Sequence, residues 1–245
     1  MTLYKNSLHT RGVCSPRVLL LGVACLSVVA GCFGDGDRDE AWNRGRSVIG
    51  PLAIKNQVVY VDTARDRVIS LESFGGTIST RDYAIGRNAI FALPAPDRQH
   101  LAVITRGEEA LIIGQVDEQP KLWMVNVADS EMQPRSFDIG SPFDRLALSS
   151  DGSVAIAYFS SGGFDDTSGV FRNPNEIAVV DLKSPASDSN PVLRTLRSFG
   201  AAPDGIVLSP PMVVPGAVDQ TPRIFAFVLA QNTVTILDAT HASTR

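Results

Sequence analysis

The sequence is short of the residues that most enzymes use for chemistry. Its 245 residues include three cysteines, all within the first 32, so a domain formed by the rest can contain no disulfide, thiolate metal site or cysteine nucleophile. The three histidines, His9, His100 and His241, are not spaced as metal ligands. GxSxG, P-loop and HExxH motifs are absent, which argues against the enzyme classes that carry them.

Basic and aromatic residues are also few. The first 31 residues hold three of the 22 basic residues and none of the 26 acidic ones, which leaves 19 basic residues and a formal charge of −7 for the remainder. Nucleic-acid binding needs a clustered basic face, so we do not expect it here. An aromatic content of 7% also provides little material for a carbohydrate-binding platform.

No apolar run is long enough to span a membrane as a helix. The longest, Val18 to Ala30, follows Lys5, Arg11 and Arg17 and has 13 residues, whereas a spanning helix needs about 20. A basic region, a short apolar region and small residues before a cleavage point are typical of a secretory signal. We therefore predict that residues 1–31 are a signal peptide.

Val29-Ala30-Gly31-Cys32 resembles the lipobox of bacterial lipoproteins. The resemblance implies acylation of Cys32, which becomes the first residue after cleavage, and a lipid anchor in the cell envelope, at the outer membrane or the cell surface. An ordinary signal peptide with an incidental Cys32 is the alternative. Residues 32–46 are rich in Gly and Asp and lack apolar periodicity, so we predict a polar tether.

Beyond the tether, residues 47–245 contain short apolar runs separated by Gly, Pro, Asp and Ser. This pattern predicts an all-β domain. Several runs are apolar at almost every position, which favours strands covered on both faces over a simple sandwich. The predicted strands are Val58 to Val61, Leu101 to Thr105, Leu122 to Val127, Val154 to Phe159, Ile177 to Leu182, Ile224 to Leu229 and Val234 to Leu237.

Two markers repeat along this domain. Ser70, Asn126, Asp181 and Asp238 each follow a strand core, at spacings of 56, 55 and 57 residues. An apolar residue followed by Gly recurs at Ile49-Gly50, Ile85-Gly86, Ile139-Gly140 and Phe199-Gly200. Markers in phase over four units indicate a repeat architecture.

Two hairpin motifs resemble the "SPDG plus strand" hairpin of YVTN-type bacterial β-propellers. They are Leu93-Pro94-Ala95-Pro96-Asp97 before Leu101 and Leu148-Ser149-Ser150-Asp151-Gly152 before Val154. Val58 to Val61 with Asp66 to Ile69 is similar to the second and third strands of such a blade. The resemblance implies a β-propeller of about four four-stranded blades, either a complete small ring or part of a larger one. It also implies that a strand near Arg46 to Ile49 completes the last blade.

Two long insertions offer the candidate binding residues. They occupy residues 106–121 and 160–175, between the second and third strands of units two and three, and we expect both on one rim beside Gly86, Gly140 and Gly200. The candidate ligand-binding residues are Glu108, Glu109, Asp165 and Asp166. Disordered, non-functional insertions are the alternative.

Two function classes remain open. The missing catalytic motifs favour a non-enzymatic binding or assembly lipoprotein. We expect it to need no cofactor or metal and to bind an envelope protein or a basic ligand. The alternative is a lactonase-like propeller hydrolase, although the His, Arg and Glu residues of that family match no positions here. His100 is most simply a turn residue.

Overall fold

The computed structural model describes residues 47–108, 118–129, 131–160, 173–184, 192–195 and 202–240, and of 192–195 only the backbone. These residues form fifteen β-strands, and no helix among them is long and apolar enough to cross a bilayer. The predicted signal peptide, Cys32 and the predicted tether lie outside the described residues.

The strands form four antiparallel sheets, which follow one another along the chain. The first sheet consists of β1 (Val48–Ile54), β2 (Gln57–Asp62), β3 (Arg67–Phe74) and β4 (Thr77–Ala84). The second consists of β5 (Ala89–Pro94), β6 (His100–Thr105), β7 (Lys121–Asn126) and β8 (Arg135–Asp138). The third consists of β9 (Arg145–Leu148), β10 (Val154–Tyr158), β11 (Glu176–Asp181) and β12 (Val192–Thr195). The fourth, within the described residues, consists of β13 (Gly205–Leu208), β14 (Phe225–Ala230) and β15 (Thr233–Asp238).

Each sheet is a meander in which neighbouring strands are consecutive in the chain. The β9–β10 hairpin shows how the sequence sets a turn. Gly152 adopts a φ of 66°, which suits a residue without a Cβ, and Ser149 Oγ accepts hydrogen bonds from the backbone of Ser153 and Val154. The serine and glycine of the predicted hairpin motif therefore fix this turn.

Successive sheets pack face to face. Apolar side chains of the first and second sheets share one core cluster, those of the second and third share another, and those of the third and fourth share the last. The first strands lie next to each other in order, since β1 contacts β5, β5 contacts β9, and β9 contacts β13. Meander sheets stacked around a line of first strands form a β-propeller, so the expected fold class is confirmed.

The prediction for the first strand is wrong. Val48–Ile54 does not complete the last blade, because it pairs with β2 as the first strand of the first sheet. Gly50-Pro51 lies at a register shift within β1 and does not follow an outer strand. Proline donates no backbone hydrogen bond, but it is tolerated at bulges and in edge strands. The strand can therefore continue through Gly50-Pro51, although this dipeptide is typical of a turn.

One position of the repeat also needs correction. Asn126, Asp181 and Asp238 end the third strands of their sheets and pair with the first residue of the second strand. In the first sheet that place belongs to Glu72, which pairs with Gln57, whereas Ser70 lies two residues earlier inside β3. The repeat exists, but in the first unit its marker is Glu72, two residues after Ser70.

The four sheets form an open arc. Within the described residues, the core clusters join the first sheet to the second, the second to the third, and the third to the fourth. Large apolar side chains on the far sides of the first and fourth sheets, including Val58 and Ile236, are exposed to solvent. Of the two arrangements that the sequence left open, a closed four-bladed ring does not agree with these exposed faces.

Candidate functional site

Strand direction brings the two insertions to one edge of the propeller. In an antiparallel meander the second strand ends, and the third begins, at the edge where the fourth strand leads to the next sheet. We call this edge, with the connections 85–88, 139–144 and 202–204, the insertion edge. The insertions follow β6 and β10, so both start there, as predicted.

The base of the first insertion is held by backbone hydrogen bonds and by ion pairs. Glu108 and Glu118 form an isolated antiparallel bridge, with both N–H···O distances at 3.0 Å. The Arg87 guanidinium forms an ion pair with Glu108, and its Nε lies 3.7 Å from Glu118 Oε2. Glu118 Oε1 also accepts a hydrogen bond of 3.0 Å from the Arg87 backbone. Arg87 therefore ties both ends of the insertion to the connection that leads into the second sheet.

Gly86 lets these groups approach closely. A Cβ at this position would lie 2.6 Å from Glu118 Oε1, 2.9 Å from Thr105 Oγ1 and 2.9 Å from Trp123 Nε1. Trp123 Nε1 donates a hydrogen bond of 3.1 Å to Thr105 Oγ1. The half-buried indole thus packs beside the base of the insertion, and the repeated glycine has a steric role here.

The second insertion is held in a related way. Asp144 is 8% exposed, and its carboxylate accepts hydrogen bonds from the Ser160 backbone (2.7 Å) and hydroxyl (2.8 Å). Ser141 Oγ donates to Glu176 Oε1 at 3.0 Å, on the other side of the insertion. Both sides of residues 161–172 are therefore fixed to the connection that leads into the third sheet.

A polar residue just before each later first strand repeats this contact. Asn88 donates from Nδ2 to the Gly107 carbonyl, and Asp204 Oδ2 accepts from the Gln231 backbone, as Asp144 does from Ser160. Each side chain thereby holds the segment that follows the second strand of its own sheet. Sequence reasoning missed these three residues, although their place directly before an apolar run in each unit was a usable signal.

The candidate ligand-binding residues have different outcomes. Glu108 lies at the insertion edge and is paired with Arg87. Glu109, Asp165, Asp166 and Gly200 lie outside the described residues. Within the part of the chain that the structure describes, no three His, Asp or Glu side chains are grouped so that they could hold a metal ion.

His100 is the first residue of β6, next to the β5–β6 turn and away from the insertion edge, so it is not a turn residue as the sequence predicted. Its Nδ1 is 2.6 Å from Asp97 Oδ2, and Asp97 Oδ1 accepts the backbone N–H groups of Gln99 and His100. Burial opposes ionisation of Asp97, but these hydrogen bonds and the His100 ring outweigh it and lower the pKa of the carboxyl group. The pair stabilises the β5–β6 turn.

Comparisons with known proteins give similarity of fold only. No protein-family model and no curated protein matches the chain. Among solved structures, Kuenenia stuttgartiensis hydrazine synthase aligns over 80% of this chain and 48% of its own, with a TM-score of 0.43 and 13% identity. A putative 6-phosphogluconolactonase from Bacteroides uniformis aligns over 75% and 50%, with a TM-score of 0.39 and 13% identity.

The β-propeller domain of the trilobed protease from Pyrococcus furiosus aligns over 78% of this chain and 57% of its own, with a TM-score of 0.37 and 10% identity. The chain thus spans about half the length of these solved structures.

Proposed function

We propose that this protein is an envelope lipoprotein, anchored through Cys32, whose propeller binds a protein partner or a basic ligand at the insertion edge. The signal, the lipobox-like residues and the polar tether support export and anchoring. A diacylated cysteine gains about 0.8 kcal/mol of membrane affinity for each buried methylene, which is enough for stable attachment.

The observation that carries the binding role is the paired placement of the insertions. Each begins after the second strand of its sheet, and each is fixed at both sides to the neighbouring connection by polar side chains. Insertions on one face of a repeat array often form its binding face, and long loops on a rigid scaffold commonly carry function.

Charge and composition suggest the type of ligand. In the sequence, Glu109 and Asp117 flank the apolar Leu111-Ile112-Ile113, and Asp165 and Asp166 follow Phe164 in the second insertion. Because Arg87 is paired with Glu108 and Glu118, we assign these two glutamates mainly to holding the insertion and the other carboxylates to contact with the ligand. Apolar anchors within an acidic rim suit a basic protein surface.

The test replaces residues 109–117 and 161–172, separately and together, with short Gly-containing turns. Arg87, Glu108, Glu118 and Asp144 are kept so that the bases remain fixed. The matched control shortens residues 213–222, which belong to the long β13–β14 connection at the opposite edge of the propeller. Affinity capture from cross-linked envelopes, with quantitative mass spectrometry, measures the partners.

We expect the double replacement to lose partners that the wild type and the control variant retain, with unchanged thermal unfolding. Retention of every partner by the double replacement would refute the binding role. Lipid anchoring is read separately, from the membrane fraction and acyl labelling.

A further inference from the structure

The fourth sheet has one face that nothing in the described chain covers. Strand pairing places Val207, Phe227, Leu229, Val234 and Ile236 on this side, and none of them is charged. Val234 and Ile236 are 59% and 60% exposed. Soluble proteins seldom leave several large apolar side chains together in water unless the patch is an interaction site.

Comparison with the third sheet shows that this is the face on which a following sheet packs. In the third sheet, Ile177 and Val179 stand where Val234 and Ile236 stand in the fourth, because both pairs face the same places of the second strand in the same register. Ile177 and Val179 are 0% and 1% exposed, since they pack against the fourth sheet. We call this side of every sheet its trailing face, and the side that packs on the preceding sheet its leading face.

The first sheet has the complementary free surface. Its leading face carries Val58, Tyr60, Ile69 and Leu71, which pair across β2 and β3. Val58 is 41% exposed, whereas Ala226, in the same register place of the fourth sheet, is fully buried. The charged residues on this face are Asp62 and Arg67, at the ends of β2 and β3, and Asp82, which lies opposite Ile69 on the outer strand β4 and pairs with Arg67. The middle of β2 and β3 on this face is therefore apolar, and the charges lie at its border.

We propose that a second copy of this chain covers both surfaces, with the trailing face of the fourth sheet of each copy packed on the leading face of the first sheet of the other. Each of the three sheet-to-sheet contacts in the chain joins a trailing face to a leading face. Within the described residues, one face of each kind remains unpaired, and both are exposed in a single copy.

A second copy supplies one leading face and one trailing face, so both exposed faces of each copy are covered. Two such contacts related by a twofold axis close a ring, and eight blades is within the range that propellers adopt. The inference rests on sheet packing alone and is independent of the binding role proposed for the insertion edge.

The test measures the mass of the full chain, purified in mild detergent, by analytical ultracentrifugation over a range of concentrations. We expect the wild type to sediment as two chains. Ile236→Asp and Val58→Asp should each weaken the dimer about a hundredfold or more, because each buries an unpaired charge in both contacts. Val218→Asp, at a fully exposed apolar residue of the β13–β14 connection, is the control and should remain dimeric.

A mixture of the two variants decides the geometry. The intact trailing face of Val58→Asp and the intact leading face of Ile236→Asp can form one undamaged contact, so the mixture should recover dimers that neither variant forms alone. Ile236→Thr and Val58→Thr keep a β-branched side chain, and they serve as milder variants if an aspartate disturbs folding.

Three results would overturn the proposal: a monomeric wild type at all concentrations, disruption by only one of the two substitutions, or a mixture that stays monomeric. A wild type that purifies with a different polypeptide on these faces would also overturn it.

Discussion

The hydrogen bonds of Asp144 offer a sharp test of how the second insertion is held. Its carboxylate accepts two hydrogen bonds from Ser160, at 2.7 and 2.8 Å, and both residues are buried. Hydrogen bonds to charged groups contribute about 1.5–3 kcal/mol, and a buried donor left without a partner costs about 1–3 kcal/mol. Asp144→Ala removes both acceptors and leaves the Ser160 N–H buried. We expect the free energy of unfolding to fall by about 3 kcal/mol.

Two further variants divide this effect. Asp144→Asn keeps an oxygen for the Ser160 amide and gains a donor for its hydroxyl, so we expect a loss of about 1 kcal/mol. Ser160→Ala removes the hydroxyl but keeps the backbone bond, which gives a similar expectation. The control is Asp138→Ala, because the Asp138 side chain is 64% exposed and its contact with Lys121, at 3.9 Å, is a surface ion pair.

The assay is urea unfolding of the full chain, followed by circular dichroism at one pH. An Asp144→Ala loss within about 0.5 kcal/mol of the control would refute the reasoning. A Ser160→Ala loss as large as that of Asp144→Ala would also refute it, because the hydroxyl would then carry the whole effect.

Three other substitutions test separate parts of the molecule. Trp123→Ala should destabilise the protein by about 2 kcal/mol in the same assay, less than the 3–5 kcal/mol of a fully buried ring, because the indole is half-buried; a loss below about 0.5 kcal/mol would contradict its packing role. Asp151→Asn should flatten the acid dependence of stability. Burial opposes ionisation of Asp151, but hydrogen bonds from Ser149 and Ser153 and the charge of Lys183 lower its pKa from 3.8 to about 2. Its contribution is therefore complete above pH 3.8 and is lost as the pH falls towards 2. Acid titrations monitored by circular dichroism should show the wild type losing more stability than the variant over that interval, and equal losses would count against the assignment. Cys32→Ser should abolish incorporation of labelled palmitate, and label that persists in the variant would show that Cys32 is not the acylated residue.

The central strands could be predicted because both of their faces are buried. The apolar runs predicted at 122–127, 154–159 and 177–182 correspond to β7, β10 and β11 within one residue at either end. Strands packed between two sheets are apolar at consecutive positions, so their sequences are easy to find. β4 carries mainly exposed polar residues, and nothing in its composition distinguishes it from a loop.

The site was harder to predict because the residues that hold its segments in place lie at the ends of strands. Asn88, Asp144 and Asp204 each precede a first strand, where a polar residue has the same appearance as an ordinary turn residue. Their common role depends on contacts with segments 16 to 27 residues away, which local patterns do not show. The sequence marks Glu108 only by its charge, whereas its pairing with Arg87 depends on the connection between two sheets.

Residues at the same register place of each sheet can be compared for burial. Once Glu72 replaces Ser70 in the repeat, Val68, Ile177 and Val234 occupy one register place on the trailing faces of their sheets. Val68 and Ile177 are buried because another sheet follows each of them, whereas Val234 is exposed although it is equally apolar. An apolar residue at a place that the repeat elsewhere buries indicates a missing neighbour more specifically than its exposure alone. Valine is favoured in strands whether it is buried or exposed, so the support for a sheet packed on Val234 comes from the register place that it shares with Val68 and Ile177 and not from strand propensity.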